Sequence, residues 1–294
     1  YLDDAPIREK IYRAFSTRSA AEPYDNRQLV ARILELRKQK AQLLGYKDFA
    51  DLVLEDRMAG DGGGARAFVD TLKQKTGAPF QQENSELLAY RRETEGDGGA
   101  EIEPWDVGYY AEKMRRSRYD FDEEELRPYF AFEKVLEGMF ELVRRLYGIE
   151  VREESGVPAW DPEVSYFTIC DEAGRGDASR EEGGQALGSF YADFYPRENK
   201  RGGAWMDSLL TGVPGGSHPH LGIICGNQTP PVGDKPALLT HREVETIFHE
   251  FGHLRHHLTS RVPIAPMAGI NVAWDFVELP SQIMESWTSE KEAD

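Results

Sequence analysis

Apolar residues recur at helical spacing through the first half of the chain. Leu29, Ile33 and Leu36 lie three or four positions apart, which is the spacing of one face of an amphipathic helix. Asp25 and Gln28 precede them in the arrangement of a capping box, in which each residue bonds to the backbone of the other. The pattern therefore predicts a helix that begins just after Asp25.

Gly45 is expected to end this helix, because glycine follows many helix ends. Glycine-rich stretches at 60–64 and 95–104 indicate breaks between further helices. These further helical segments are predicted at 48–58, 65–77, 84–93, 105–117 and 132–148. Residues 1–148 are accordingly predicted to form a helical region.

The pattern changes at Ile149, where short runs rich in β-branched and aromatic residues replace the helical spacing. Runs of this kind, separated by turns rich in glycine and proline, are typical of strands. The strands are predicted at 149–153, 164–171, 186–195 and 220–226, and two closing helices at 241–259 and 272–290. The predicted fold class is therefore α+β and mainly α-helical, with a small β-sheet in a second region at 149–294.

Charge and composition narrow the possible partners. The 294 residues contain 52 acidic and 35 basic side chains, a formal net charge of −17, which repels nucleic acids and anionic membranes. No apolar run approaches the roughly 20 residues of a membrane span. Two cysteines, Cys170 and Cys225, are too few for a disulfide framework and fit a reducing compartment. We expect a cytoplasmic protein with no nucleic-acid or membrane partner.

Four of the seven histidines lie within nine positions, at 249–257. On a helix, His249 and His253 lie about 40° apart on one face and one turn apart along the axis, so their imidazoles can bind the same ion. Zinc suits imidazole ligands and an open tetrahedral site. Glu250 flanks this face, where it could accept a proton from a water that the ion activates.

A third ligand must come from another part of the chain. His256 shares the face of His249, but it lies about 10.5 Å further along the axis, too far to reach the same ion. The longer pattern HExxHxxGxxH is absent, because position 256 is histidine and position 259 is threonine. His256 and His257 are therefore expected to make outer contacts or to lie at the surface.

The predicted helix at 272–290 offers several candidates for that ligand. Asp275, Glu278, Gln282 and Glu285 fall within about 80° of arc on one face. One interpretation is structural, with Asp275 and Glu278 as the capping box of the helix and Pro280 in its first turn. In the other, Glu278 binds the metal, while Asp275 or Glu285 orients the histidines. The pattern leaves both open.

Three weaker features lie near these segments. His218 and His220 alternate along one predicted strand, but Pro219 between them favours an edge strand or loop with solvated histidines over a second metal site. The strand at 220–226 either pairs with an extended peptide or lies in the core. Gly252 costs about 1 kcal/mol within a helix, so we expect it to permit close packing beside the metal.

Several segments together resemble the thimet oligopeptidase family (M3) of zinc metallopeptidases. The similarity lies at 104–130, 187–207, 227–253, and in the motifs FHEFGHLRHH and WDFVELPSQIMESW. The resemblance implies a zincin-like (gluzincin) catalytic core with one Zn²⁺ per chain. It implies that His249, His253 and Glu278 hold the zinc and that Glu250 is the general base.

The resemblance also implies a zinc metalloendopeptidase that cleaves short peptides and excludes folded proteins. The motif RGGAWMD at 201–207 favours the bacterial oligopeptidase A branch over the dipeptidyl carboxypeptidases. A peptide-binding zincin fold with little or no turnover, a dipeptidyl carboxypeptidase and an aminopeptidase remain alternatives. Family members continue past Asp294 into a region whose tyrosines and histidine stabilise the oxyanion. We therefore expect this chain alone to bind zinc but to cleave poorly, with a further C-terminal segment as a partner.

Overall fold

A computed structural model describes residues 2–96, 101–119, 123–171, 184, 186–214, 218–233 and 236–290. The chain packs as two compact units, Tyr1–Asp122 and Glu123–Asp294. The helix predicted at 132–148 was expected to belong to the first region. It lies in the second unit instead, because its residues Met139 and Val143 are part of the core around the sheet. The boundary at 148/149 reflects a change of local pattern and stays a prediction.

The first unit is helical. Its elements are α1 (Ala5–Ser16), α2 (Arg27–Leu43), α3 (Phe49–Leu54), α4 (Gly62–Glu95) and α5 (Val107–Tyr119). The capping box predicted for α2 is wrong, because the Asp25 carboxylate instead accepts a bond from the Arg27 N–H and pairs with its guanidinium. Gly45 follows the helix in the left-handed conformation, φ +87°, as predicted. The helices predicted at 65–77 and 84–93 are one continuous helix, α4, that includes Pro79.

Within the residues that the structure describes, the second unit combines three α-helices with one sheet. Its elements are α6 (Phe132–Tyr147), β1 (Ile149–Glu153), β2 (Ser165–Asp171), β3 (Ala186–Asp193), β4 (Trp205–Leu210), β5 (His220–Cys225), α7 (His241–Leu258) and α8 (Leu279–Ser286). The strand order is β1-β2-β3-β5-β4. Strands β3 and β5 are parallel, and the other neighbours are antiparallel. The structure thus confirms an α+β fold with a small sheet.

One core joins the helices of this unit to the sheet. Phe251 on α7 is fully buried and lies 6.1 Å from the ring of Phe190 on β3, centroid to centroid. Phe140 on α6 contacts both Phe251 and the β2 residue Phe167. Burial of such aromatic side chains is a main source of stability. The core therefore fixes α7 on the sheet, and α7 carries the histidine cluster.

The sheet contains a strand that the hydrophobic pattern did not predict. Strand β4 follows Gly202 and Gly203, pairs with β5, and lies at the end of the strand order. Strand β5 lies between β3 and β4, so of the two alternatives left open for it the core strand is confirmed and pairing with a peptide as an edge is wrong. The edge position belongs to β4. An edge strand leaves backbone N–H and C=O groups available for pairing.

Both cysteines lie in this sheet and are buried. Burial raises the pKa of the Cys170 thiol. Burial also raises the pKa of the Cys225 thiol, to about 11. Both side chains are therefore neutral thiols at physiological pH.

Candidate metal centre

The helix α7 begins with a reciprocal cap. The Thr240 hydroxyl accepts a bond from the Glu243 N–H at 3.1 Å, and the Glu243 carboxylate accepts one from the Thr240 N–H at 2.8 Å. This capping box fixes the first turn of α7. His249 and His253 follow one turn apart on the same helix, with their ring centroids 4.9 Å apart. The pair therefore has the arrangement that the HExxH spacing predicts.

Glu278 lies immediately before α8. The predicted helix at 272–290 is shorter in the structure, because the chain forms turns up to Glu278 and α8 begins at Leu279. Pro280 is in the first helical turn, as predicted, where its missing N–H costs nothing. The capping box proposed for Asp275 is therefore wrong. The Ser281 hydroxyl, which lies 3.0 Å from Oε2 of Glu278, helps to fix the carboxylate.

Close packing of α7 on α8 brings Glu278 to the histidines. A Cβ at Gly252 would lie 2.6 Å from Cα of Ser281 and 2.7 Å from the carbonyl oxygen of Pro280. Only glycine permits this approach, since real Cβ atoms do not come so near to backbone atoms. The expectation that Gly252 permits close packing of its helix is thus confirmed.

His249, His253 and Glu278 each offer one ligand atom, and these atoms lie within 4.8 Å of one another. Oε2 of Glu278 is 3.3 Å from Nε2 of His249 and 3.1 Å from Nε2 of His253. In a tetrahedral zinc site with bonds of about 2.0 to 2.1 Å, neighbouring ligand atoms lie roughly 3.3 Å apart. The distances from the Glu278 oxygen to the two nitrogens are therefore those expected between neighbouring ligands of one zinc ion.

Neighbouring groups orient these ligands and affect their protonation. Nδ1 of His249 lies 3.2 Å from Oε2 of Glu285. Because a carboxylate only accepts, Nδ1 carries the proton and Nε2 faces Glu278. Of the two residues that the sequence offered for orienting the histidines, Asp275 and Glu285, Glu285 thus contacts His249. Burial lowers the pKa of His253, which favours the neutral form that a metal ligand needs.

Glu250 lies beside the ligand cluster but is not one of its members. Its side chain is buried, and burial raises the pKa of its carboxyl group, although His249 opposes this rise. The backbone of Met206 on β4 faces the carboxylate and also opposes the rise of this pKa. A cavity of about 300 Å³ opens beside it, lined by Ala204, Arg242, Glu245, Thr246, His249, Glu250 and Glu285. Glu250 is thus positioned to exchange a proton with a molecule bound in this cavity.

The remaining histidines lie apart from the ligand cluster. His256 is half-buried near Phe276, with ring centroids 6.3 Å apart. His257 is fully buried and packs against His220, which is also buried. The expectation of solvated histidines is therefore wrong for His220, whose Nδ1 accepts from the Gly212 N–H and whose Nε2 contacts the Ser260 carbonyl. His218 is exposed.

Comparison with known proteins shows the family of this chain independently of the geometry of the site. The family description "Peptidase family M3" matches residues 1–294. The chain belongs to this family. It is 39% identical to oligopeptidase A of Haemophilus influenzae over 302 residues, which cover 100% of this chain and 43% of that protein. It is 38% identical to the "Probable cytosolic oligopeptidase A" of Arabidopsis thaliana, over 96% of this chain and 40% of that protein.

A third relative is named for a different activity. The dipeptidyl carboxypeptidase of Escherichia coli is 36% identical over 98% of this chain and 41% of its own length. The chain thus spans less than half of the curated relatives it matches. No helix within the described ranges has both the length and the apolarity that a bilayer crossing requires.

Proposed function

We propose that the protein is a zinc-dependent oligopeptidase with a zincin-like core, which hydrolyses internal peptide bonds of short peptides. The observation that carries this proposal is the clustering of His249, His253 and Glu278, in which the Glu278 oxygen lies 3.3 and 3.1 Å from the two histidine nitrogens, as neighbouring ligands of a zinc ion would. Membership of peptidase family M3 supports the reaction class. A cytosolic location fits the two thiol cysteines and stays a prediction.

Zinc bound by these residues would lower the pKa of water to about 7, so that a nucleophile forms at neutral pH. Glu250 then accepts the proton of the attacking water and passes it to the leaving amine. Its raised pKa suits both steps, because a general acid–base group works best when its pKa is near the working pH. The burial of Glu250 keeps this proton from exchanging freely with bulk water.

The edge strand β4 supplies a surface for the substrate. It begins at Trp205, and the backbone of Met206 faces the Glu250 carboxylate. An extended peptide that adds to such an edge forms main-chain hydrogen bonds whatever its side chains are. This mode of binding would bring a peptide bond close to Glu250, and it suits a peptidase that accepts varied short peptides.

Replacement of Glu250 by Gln tests the proposed reaction. We expect Glu250→Gln to bind one zinc per chain like the wild type but to lose cleavage of an end-blocked fluorogenic peptide by at least 100-fold, since general-base catalysis contributes on the order of 10²- to 10⁴-fold. Glu141→Gln, which removes an exposed carboxylate on α6, is the control. Enzyme concentrations above that of the peptide make slow turnover measurable.

Zinc binding with no cleavage by the wild type would favour a peptide-binding role instead. Full cleavage by Glu250→Gln would contradict the assigned base. The second candidate is removal of C-terminal dipeptides, which the similarity to dipeptidyl carboxypeptidase favours. A peptide blocked at its C-terminus separates the two, because only an endopeptidase cleaves it.

A further inference from the structure

The edge strand β4 contains an irregularity near its C-terminal end. Ser208 pairs with Gly222 of β5, but the next pair joins Leu210 to Leu221. Leu209 is therefore an extra residue in the manner of a β-bulge, which interrupts the regular ladder. Backbone carbonyls at such a point need other donors if they are buried.

His257 on α7 supplies that donor. Its Nε2 lies 3.2 Å from the carbonyl oxygen of Leu210, 3.3 Å from that of Leu221 and 3.2 Å from the Ser208 hydroxyl. Since carbonyl oxygens only accept, Nε2 must carry the proton. One ring N–H thus faces both strands at the irregularity, and the imidazole is 0% exposed.

The position of this imidazole is closely restricted. The ring of His220 packs against it edge to face at 4.9 Å. The Gly269 backbone also lies close to the ring, since a Cβ at Gly269 would lie only 2.3 Å from Nδ1 of His257. Burial and the nearby His220 lower the pKa of His257, so that it remains neutral and Nδ1 is not a donor. The ring cannot follow β4 if that strand moves.

Helix α7 therefore contacts β4 at two places. The Glu250 carboxylate faces the backbone of Met206, near the start of the strand, and the His257 ring contacts the Leu210 carbonyl at the bulged end. We propose that His257 is a positioning residue, which fixes the edge strand β4 on the metal-binding helix and so sets the line along which an extended peptide reaches Glu250. The inference rests on the proposed function, because it assumes that peptides pair with β4.

The effect on catalysis follows from geometry. A displacement of about 1 Å in a reacting group can cost on the order of 100-fold in rate. His257 does not contact the ligand atoms of His249, His253 or Glu278 in the described structure, so its loss should leave zinc binding unchanged. It should instead impair the binding of the peptide and its alignment.

Two substitutions at this position separate hydrogen bonding from packing. His257→Leu fills a similar volume but removes the donor, whereas His257→Gln retains an N–H near the position of Nε2. Val143→Ala, which removes buried methyl groups from α6, is the control for general loss of stability. Each protein is studied with zinc bound, at a temperature where it remains folded.

We expect His257→Leu to raise the KM of an end-blocked fluorogenic peptide and to lower kcat/KM by about 10- to 100-fold, with zinc affinity within about 2-fold of wild type. His257→Gln should recover most of kcat/KM, and Val143→Ala should retain it. Hydrogen exchange should accelerate at Met206–Leu210 in His257→Leu only. A purely structural role would not produce recovery by Gln or this restriction to β4.

The inference is wrong if exchange in β4 is the same in His257→Leu and the wild type, or if Val143→Ala reproduces the loss of kcat/KM. It is equally wrong if Gln recovers nothing. Failure of the proposed function is a separate result, namely a wild type that cleaves no peptide. In that case, exchange in β4 still decides whether His257 fixes the strand, and binding of the same peptide to the variants decides whether the strand receives it.

Discussion

Replacement of Gly252 by alanine should weaken zinc binding although it changes none of the three proposed ligands. The new Cβ would lie 2.6 Å from Cα of Ser281, whereas carbon atoms in contact prefer about 3.5 to 4.0 Å. Helix α8 must therefore move away from α7 by roughly 1 Å. Glu278 directly precedes that helix and moves with it. Metal sites tolerate deviations of only about 0.2 Å in ligand distance.

Zinc affinity is the sensitive measurement for this variant. Overpacking costs about 1 to 3 kcal/mol and alanine recovers about 1 kcal/mol of helix propensity, so the free energy of unfolding of the metal-free protein should fall by about 0 to 2 kcal/mol. Competition with a chromogenic chelator should show zinc affinity about 10- to 100-fold weaker, as found when the support of a ligand is lost.

Gly138→Ala on α6 is the matched control, because nothing lies within 4 Å of a Cβ at that position. It should bind zinc like the wild type and gain up to about 1 kcal/mol of stability. Unchanged zinc affinity in Gly252→Ala would refute the reasoning. It would mean either that α8 does not carry Glu278 or that Glu278 is not a ligand.

Two further predictions concern outer contacts and acid stability. Glu285→Gln weakens the hydrogen bond that orients His249. Zinc affinity in the same chelator assay should fall by about 10-fold, which is the lower end for such contacts, because Glu285 is partly exposed. Unchanged zinc affinity would show that Glu285 does not orient His249. Burial opposes ionisation of Asp193, but hydrogen bonds from Arg197 and Lys200 lower its pKa to about 2. Because its folded-state pKa is below the unfolded value, its ionisation stabilises the fold above about pH 4, and this is lost as the pH falls toward 2. In urea unfolding, the stability difference between wild type and Asp193→Asn should narrow by about 1 kcal/mol from pH 6 to pH 3; a constant difference would contradict this.

The part of the site that depends on local spacing was predictable. His249 and His253 are four residues apart on a helix, and the helical period alone places their rings on one face. The structure also brings Glu278 to them, as the family resemblance implied. Spacing could not single out Glu278, because it left several polar residues of the same segment as alternatives. The choice depends on how α8 packs on α7, which is a tertiary contact at Gly252.

The features that were missed depend on long-range neighbours. Strand β4 is half exposed at a sheet edge and has no clear alternation, so only its pairing with β5 reveals it. His220 lies beside a proline, which suggested a loop, yet the strand is central and His220 is buried by partners distant in sequence. The start of α7, by contrast, has a clear signal in the local sequence, since Thr240 and Glu243 form the S/T-x-x-E capping box.

The two buried cysteines have a practical consequence. Both thiols are protonated at neutral pH because burial raises the pKa of each, and the thiolate is the species that reacts with maleimides and iodoacetamides. A cysteine introduced at an exposed position of the sheet edge, such as Leu209, would therefore be the preferred point of attachment for a fluorophore or spin label. The native cysteines would not need to be replaced first, so a label at the sheet edge could be observed in a protein whose buried core is unaltered.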